Sequence, residues 1–308
     1  MRKFLKWLLG ITLGLLGLAF FILLTGWIVF RISDTTNGKL STSGEERRYL
    51  LYVPESYDPS TPAPLVISLH GFAQWPAHQS QLTGWTELAD QHGFIVVHPG
   101  GLGFPKRWRT ALQADGAPSP DVIFISDLID QLESDYNIDP TKIYVNGLSN
   151  GGGMSSLLAC ELSDRIAAMG SVAGAYAFSW DDCSSTHKVP AIIFHGTEDP
   201  IVPYQGGLEG DSRFTLPPVP SWVEGVALHN GCESVPVDLP SSGDVSGIRF
   251  ENCAEDAEVI FYTIQGGGHS WPGGGYLPEF LVGTTTQDMD ATGVMWEFFQ
   301  KHTLKDQK

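Results

Sequence analysis

Gly147-Leu148-Ser149-Asn150-Gly151 sets a serine between glycines at a change of pattern. Before it runs Lys142-Ile143-Tyr144-Val145-Asn146, with the composition of a buried strand. After it comes Gly152-Gly153-Met154-Ser155-Ser156-Leu157-Leu158-Ala159-Cys160, which suits a tightly packed helix. A Gly-x-Ser-x-Gly on a strand-to-helix turn holds its serine in strained backbone geometry with the hydroxyl projecting. Side chains at the flanking glycines would collide with the adjoining strand and helix. The chemistry this implies is nucleophilic attack by Ser149 on a carbonyl, with a covalent acyl intermediate. A glycine-rich structural turn can carry the same five residues, so the context decides the reading.

A serine hydroxyl is a poor nucleophile until a neutral imidazole takes its proton and a carboxylate holds that imidazole in the right tautomer. On such turns the partners follow in the order serine, acid, histidine. The strand-like Pro190-Ala191-Ile192-Ile193 leads into Phe194-His195-Gly196-Thr197-Glu198-Asp199-Pro200. Asp199 is the expected acid, with Glu198 the competitor and a turn-forming role for Asp199 the plain alternative. Glu258-Val259-Ile260-Phe261-Tyr262-Thr263-Ile264 supplies one more strand, and the glycine-rich loop after it carries His269, the expected base. Acyl transfer also needs donors aimed at the developing oxyanion. The expected ones are the backbone N–H of Asn150 and that of Phe72, in the turn after the strand Pro64 to Ser68. His70 precedes the serine in the chain and is expected to shape that turn. No cofactor and no metal site is implied.

These residues resemble the secreted polyhydroxybutyrate depolymerase and feruloyl esterase group of α/β-hydrolases. The resemblance is carried by Leu69-His70-Gly71, Tyr144 to Met154, Leu162 to Ala168, His195 to Tyr204, Asn230-Gly231-Cys232 and Gly266 to Gly274. It implies a carboxylic-ester hydrolase of α/β-hydrolase fold, with Ser149, Asp199 and His269 in the catalytic positions. Phe72-Ala73 and Gly103 to Pro118 depart from the group's usual pattern, which bears on substrate preference.

The elements that must position these groups can be traced in the chain. Expected strands are 49–53, 65–69, 94–98, 143–146, 167–172, 191–194 and 258–264; expected helices are 84–91, 121–136, 150–162, 219–229 and 289–302. Such alternation gives a mostly parallel sheet with helices on both faces, here one domain over residues 46–308. Residues 7–30 hold no charge, and at 1.5 Å per residue they reach about 36 Å, enough to cross a bilayer core. Arg2, Lys3 and Lys6 precede that stretch and Arg31 follows it. The expectation is a cytoplasmic N-terminus at 1–6, a transmembrane signal anchor at 7–30 and a Ser/Thr/Gly-rich linker at 31–45. A cleaved signal peptide is the alternative. Either reading puts the catalytic domain in the periplasm or outside the cell.

Cys160, Cys183, Cys232 and Cys253 allow three pairings. Cys232–Cys253 would close a local loop and Cys160–Cys183 would tie the helix after Ser149 to the next segment; four reduced cysteines are the alternative. The net charge is −17, or −21 without Arg2, Lys3, Lys6 and Arg31, and such a surface repels nucleic acid. Only eighteen residues separate Val172 from Ala191, little room for a helical lid, so an open cleft for bulky or polymeric esters is expected at the C-terminal edge of the sheet. Residues 204–218 and 231–257 are expected to wall it, with Trp271, Trp108 and Trp75 as its aromatic lining. Two other readings stand beside the esterase, a serine peptidase of the same fold and a non-catalytic surface binding protein.

Overall fold

Short apolar runs alternate with helix-forming stretches along nearly the whole chain, and each settles where its pattern directs it. The computed structural model describes residues 34–208 and 215–304, together with residues 7, 12, 14–18 and 21. The elements in chain order are β1 (Gly38–Thr42), β2 (Glu45–Tyr52), β3 (Ala63–Leu69), α1 (Pro76–Thr83), α2 (Trp85–His92), β4 (Ile95–Pro99) and α3 (Pro120–Asp135). They continue with β5 (Ile138–Leu148), α4 (Asn150–Glu161), β6 (Ala168–Val172), β7 (Ala191–Gly196), β8 (Gly207–Leu208), β9 (Thr215–Leu216) and α5 (Val219–His229). The last are β10 (Val237–Ser242), β11 (Val245–Phe250), β12 (Val259–Ile264), α6 (Glu279–Val282) and α7 (Ala291–Phe299).

Among the described residues ten strands form one sheet in the order β1-β2-β4-β3-β5-β6-β7-β12-β11-β10. From β4 to β12 every pairing is parallel, so these strands all present their C-terminal ends along one edge. Both faces are covered, which is why the central strands read as unbroken apolar runs. In β3, Leu65, Ile67 and Leu69 enter the core beneath α3 and α4, beside Phe124 and Leu157. Val66 points the other way and joins Trp85, Trp296 and Phe299 from α2 and α7. The α/β fold expected from the sequence is therefore present, with an antiparallel margin on each side.

The margins are where the expectations need correction. Residues 38–42, read as linker, form β1 and pair with β2 from Gly38↔Tyr49 to Thr42↔Glu45. An edge strand exposes one face and one row of backbone groups, so it can be as polar as Gly-Lys-Leu-Ser-Thr without losing its place. Residues 231–257, read as a cleft wall, instead build the hairpin β10–β11 beyond β12. The mostly exposed β10 has a loop-like sequence for the same reason.

In the unit Met1–Thr35 the described residues 7, 12, 14–18 and 21 are helical. Among the described residues no helix is long and apolar enough to cross a membrane, and most of the expected span 7–30 lies outside them. Two disulfides close the chain locally, Cys160–Cys183 from the end of α4 and Cys232–Cys253 across the β10–β11 hairpin.

Candidate active site

Ser149 sits between the end of β5 and the start of α4, with φ 58° and ψ −120°. That left-handed conformation costs a non-glycine residue on the order of 1–3 kcal/mol, so its surroundings must impose it. They do so through the backbone: Ser149 N–H donates to Val172 O at 2.8 Å, and its carbonyl accepts from Gly153 N–H at 2.9 Å and Ala175 N–H at 3.0 Å. The flanking glycines are sterically required. A Cβ on Gly151 would strike the Leu69 and His70 carbonyls, and one on Gly147 would strike the Gly151 backbone. Ser149 is 8 % exposed, and its hydroxyl makes no hydrogen bond among the described residues.

Asp199 follows β7 and His269 follows β12, so both stand on the same sheet edge as Ser149. His269 Nδ1 donates to Asp199 Oδ2 at 2.7 Å, which leaves its Nε2 without a protein partner among the described residues. Asp199 Oδ1 accepts from the Ile201 and Val202 N–H groups, each at 2.8 Å. Burial alone would push this carboxyl up. The close contacts from His195 and His269 outweigh it and hold Asp199 well below the usual carboxylate range. Glu198, the competing acid, is exposed. His269 N–H bonds to Val282 O, tying the glycine-rich loop to α6.

The turn after β3 packs against the serine: a Cβ on Gly71 would come within 3.4 Å of Ser149 Cβ. Among the described residues the backbone N–H groups of Phe72 and Asn150 donate to no protein acceptor, which leaves both available to an oxyanion. Gly71 N–H is taken by Gln74 Oε1 at 2.8 Å and Ala73 N–H by Lys106 O at 2.9 Å. His70 lies beneath this turn, its Nδ1 donating to Gly71 O at 2.7 Å and its Nε2 accepting from Gly101 N–H at 2.9 Å. Burial pushes its pKa down to about 3, so it is a neutral strut that spaces the turn from the next loop. The Asn150 side chain brackets Trp108, accepting from its N–H at 2.7 Å and donating to its carbonyl at 3.1 Å.

A cleft of about 1470 Å³ opens beside Phe72 and Asn150. Its aromatic lining is Phe72 and Trp108, then Tyr176, Phe178 and Trp180 from the β6–β7 connection, and Trp222 from α5. Tyr176 and Trp222 stack with ring centroids 3.5 Å apart at 6°. Of the three tryptophans expected here, Trp108 lines the cleft, but Trp271 and Trp75 do not. Trp271 is wholly buried in the core beneath α7, its indole N–H donating to Thr292 Oγ1 at 2.9 Å. Its glycine-rich neighbours let it fold inward, where an apolar ring gains most. Trp75 is half-buried against His78, just ahead of α1. Residues 215–218 reach the cleft, whereas 231–257 do not.

The family described as Esterase PHB depolymerase matches residues 47–189. A probable feruloyl esterase C of Aspergillus clavatus is 30 % identical over 271 residues, covering 85 % of this chain and 86 % of that protein. The chain belongs to the Esterase PHB depolymerase family. A bifunctional acetylxylan esterase/xylanase of Neocallimastix patriciarum is 34 % identical over 172 residues, 56 % of this chain, which spans only 24 % of that longer protein. The acetyl xylan esterase structure from Aspergillus awamori shares the fold at a TM-score of 0.61 and 16 % identity, over 85 % of this chain and 98 % of that one.

For this member of the Esterase PHB depolymerase family, sequence reasoning missed Tyr176, Phe178, Trp180 and Trp222. A signal was present: Ala175-Tyr176-Ala177-Phe178-Ser179-Trp180 alternates small and aromatic residues just past β6, on the edge that carries Ser149. A connection too short for a lid is long enough to be the cleft wall itself.

Two buried histidines also set an acid limit on the fold. Burial pushes His98 down to about 4 and His70 to about 3, from an ordinary value near 6.5. Both are neutral in the native state, while the unfolded chain takes up their protons below about pH 6.5. Their contribution to stability is thus complete above that pH and shrinks as pH falls toward 4. Thermal unfolding should show the midpoint dropping steadily from pH 6.5 to 4; a flat profile there would contradict the buried, neutral assignment.

Proposed function

We propose that the protein is an extracytoplasmic serine carboxylic-ester hydrolase working through an acyl-enzyme, with Ser149 as nucleophile, His269 as general base and acid, and Asp199 as its orienting carboxylate. The observation that carries this reading is the 2.7 Å bond from His269 Nδ1 to Asp199 Oδ2, on the sheet edge that also presents the strained Ser149. In the first half-reaction Ser149 Oγ attacks the ester carbonyl carbon as His269 Nε2 takes its proton. The N–H groups of Phe72 and Asn150 receive the oxyanion. Collapse breaks the bond to the alcohol, which leaves with the proton from His269. Water then attacks the acyl-enzyme, giving its proton to the same nitrogen, and the acid departs as Ser149 is reprotonated.

Membership of an esterase family supports the reaction class. Two disulfides support an oxidising compartment, in keeping with a signal anchor or signal peptide at residues 7–30. The cleft supports bulky esters over acetyl groups, because an acetyl would leave most of about 1470 Å³ to water. Its aromatic lining favours an aromatic acyl group of the feruloyl kind over a hydroxyalkanoate oligomer, since flat rings pack well against aromatic walls.

The test is kcat/KM on methyl ferulate, on an acetyl ester and on a 3-hydroxybutyrate trimer, with Ser149→Ala as the blank. Ferulate is expected to lead. Trp222→Ala should then lower kcat/KM for ferulate by about tenfold with little change for the acetyl ester. Preference for the trimer would move the substrate to polyester oligomers. Equal losses on all three esters would make Trp222 a packing residue only.

A further inference from the structure

Asp199 Oδ2 has a second imidazole on it. His195 lies in β7, four residues before Asp199, and its side chain is fully buried, as is the carboxylate. His195 Nε2 lies 2.9 Å from Val202 O and 3.3 Å from Asp199 Oδ2. Both neighbours are acceptors, so Nε2 carries the proton; it donates to the Val202 carbonyl and keeps Asp199 Oδ2 in close contact at 3.3 Å. Among the described residues Nδ1 is buried with no hydrogen-bond partner, so a second proton there would be stranded away from water. The contacts of His195 therefore fix its ring orientation, with Nε2 toward Val202 O and Asp199 Oδ2. The titratable groups facing Asp199 are His195 from its own strand and His269 from the loop after β12. Tyr204 meets the His195 ring edge-on at 6.0 Å, and Thr263 of β12, its register partner, carries no charge.

We propose that His195 is a positioning residue for the reaction: its Nε2–H holds Asp199 Oδ2 and the Val202 carbonyl together, aiming the carboxylate at His269 and moderating its pull on that ring. This rests on the reading of Asp199 as the orienting acid. Two backbone donors already fix Oδ1, but they leave the carboxylate able to swing Oδ2 away from His269. The donor from His195 removes that freedom. It also draws charge from Oδ2, since a carboxylate with one donor fewer is more basic and stabilises a neighbouring imidazolium more strongly. Losing it should therefore make His269 harder to deprotonate, an effect a purely structural residue would not have.

The experiment uses the full chain with His195→Gln, which keeps an N–H at similar reach, and His195→Met, of the same length without a donor. Asp199→Asn is measured beside them, all on methyl ferulate across pH and with thermal unfolding recorded. His195→Met is expected to lower kcat by about tenfold at unchanged KM and to move the acid limb of kcat/KM to higher pH. His195→Gln should restore most of both. Should His195→Met fail to fold, His195→Asn, whose amide is too short to reach Asp199, takes its place with the same expectation. Wild-type kcat and acid limb in the donor-free variant, or equal losses in it and in His195→Gln, would overturn the inference. Wild-type activity in Asp199→Asn would instead overturn the acid assignment itself. Collapse of Asp199→Asn beside a wild-type-like His195→Met would leave that assignment standing and remove only the role of His195.

Discussion

Ser149→Ala should lower kcat on any ester the protein accepts by about 10⁴-fold or more, with the unfolding midpoint within a degree or so of wild type. The two halves of that expectation come from different observations. The hydroxyl makes no hydrogen bond among the described residues and is 8 % exposed, so its removal strands no buried group and opens no cavity. The backbone at φ 58° is held by the bonds to Val172, Gly153 and Ala175, none of which involves the side chain. Chemistry loses everything while folding loses little. His269→Ala should fall about as far, and the double variant scarcely further, because a base without its nucleophile has no proton to take. A fluorophosphonate probe should label the wild type at Ser149 and leave Ser149→Ala unlabelled. Labelling of another serine, or Ser149→Ala within tenfold of wild type, would end the triad reading and bring the binding-protein alternative forward.

How much of this was legible in the sequence depends on the range of the physics involved. Ser149, Asp199 and His269 could be named because each follows a central strand, and a buried parallel strand writes its apolar run into a few consecutive residues. The edge strands β1 and β10 could not be found that way. With one face in water, Gly-Lys-Leu-Ser-Thr and Val-Asp-Leu-Pro-Ser-Ser carry no such signature, and only pairing partners elsewhere in the chain make them strands. Trp271 failed for another reason. Two residues beyond His269 is close in sequence, but Gly273 and Gly274 let the chain double back and the indole turn into the core. His195 was hidden in plain view, four residues before the acid, because its meaning lies in where its ring nitrogens point, which no spacing reveals.

Arg47→Ala is the largest expected loss of stability outside the elbow, about 3–5 kcal/mol. Arg47 and Asp121 form an ion pair at 2.8 Å with side chains only 1 % and 2 % exposed. Burial pushes the guanidinium pKa down, and the Asp121 carboxylate beside it pushes back. The pair has further partners, although Arg47 Nε and Asp121 Oδ1 are buried without a hydrogen bond among the described residues. Arg47 donates to Gly100 O at 3.1 Å and lies 4.0 Å over the Phe124 ring. Asp121 accepts from Arg109 N–H at 2.9 Å and sits in the first turn of α3, where the helix dipole favours a negative charge. Truncating Arg47 leaves that buried carboxylate with only the exposed Arg109 guanidinium, 4.0 Å away, as counter-charge, and the loss of the closer partner sets the magnitude. The double change Arg47→Met with Asp121→Leu should cost less than Arg47→Ala, though not nothing, since Gly100 O and Arg109 N–H lose their partners. The consequence reaches the site. Gly100 and Arg109 bracket the loop that carries Trp108, and Trp108 is what the side chain of Asn150 grips. Arg47→Ala assayed below its unfolding midpoint should therefore show a raised KM as the cleft wall loosens, together with the lowered midpoint in denaturant. A loss below about 1 kcal/mol would mean that water reaches Asp121 in solution; a full loss at unchanged KM would mean that the loop keeps its place through Asn150 alone.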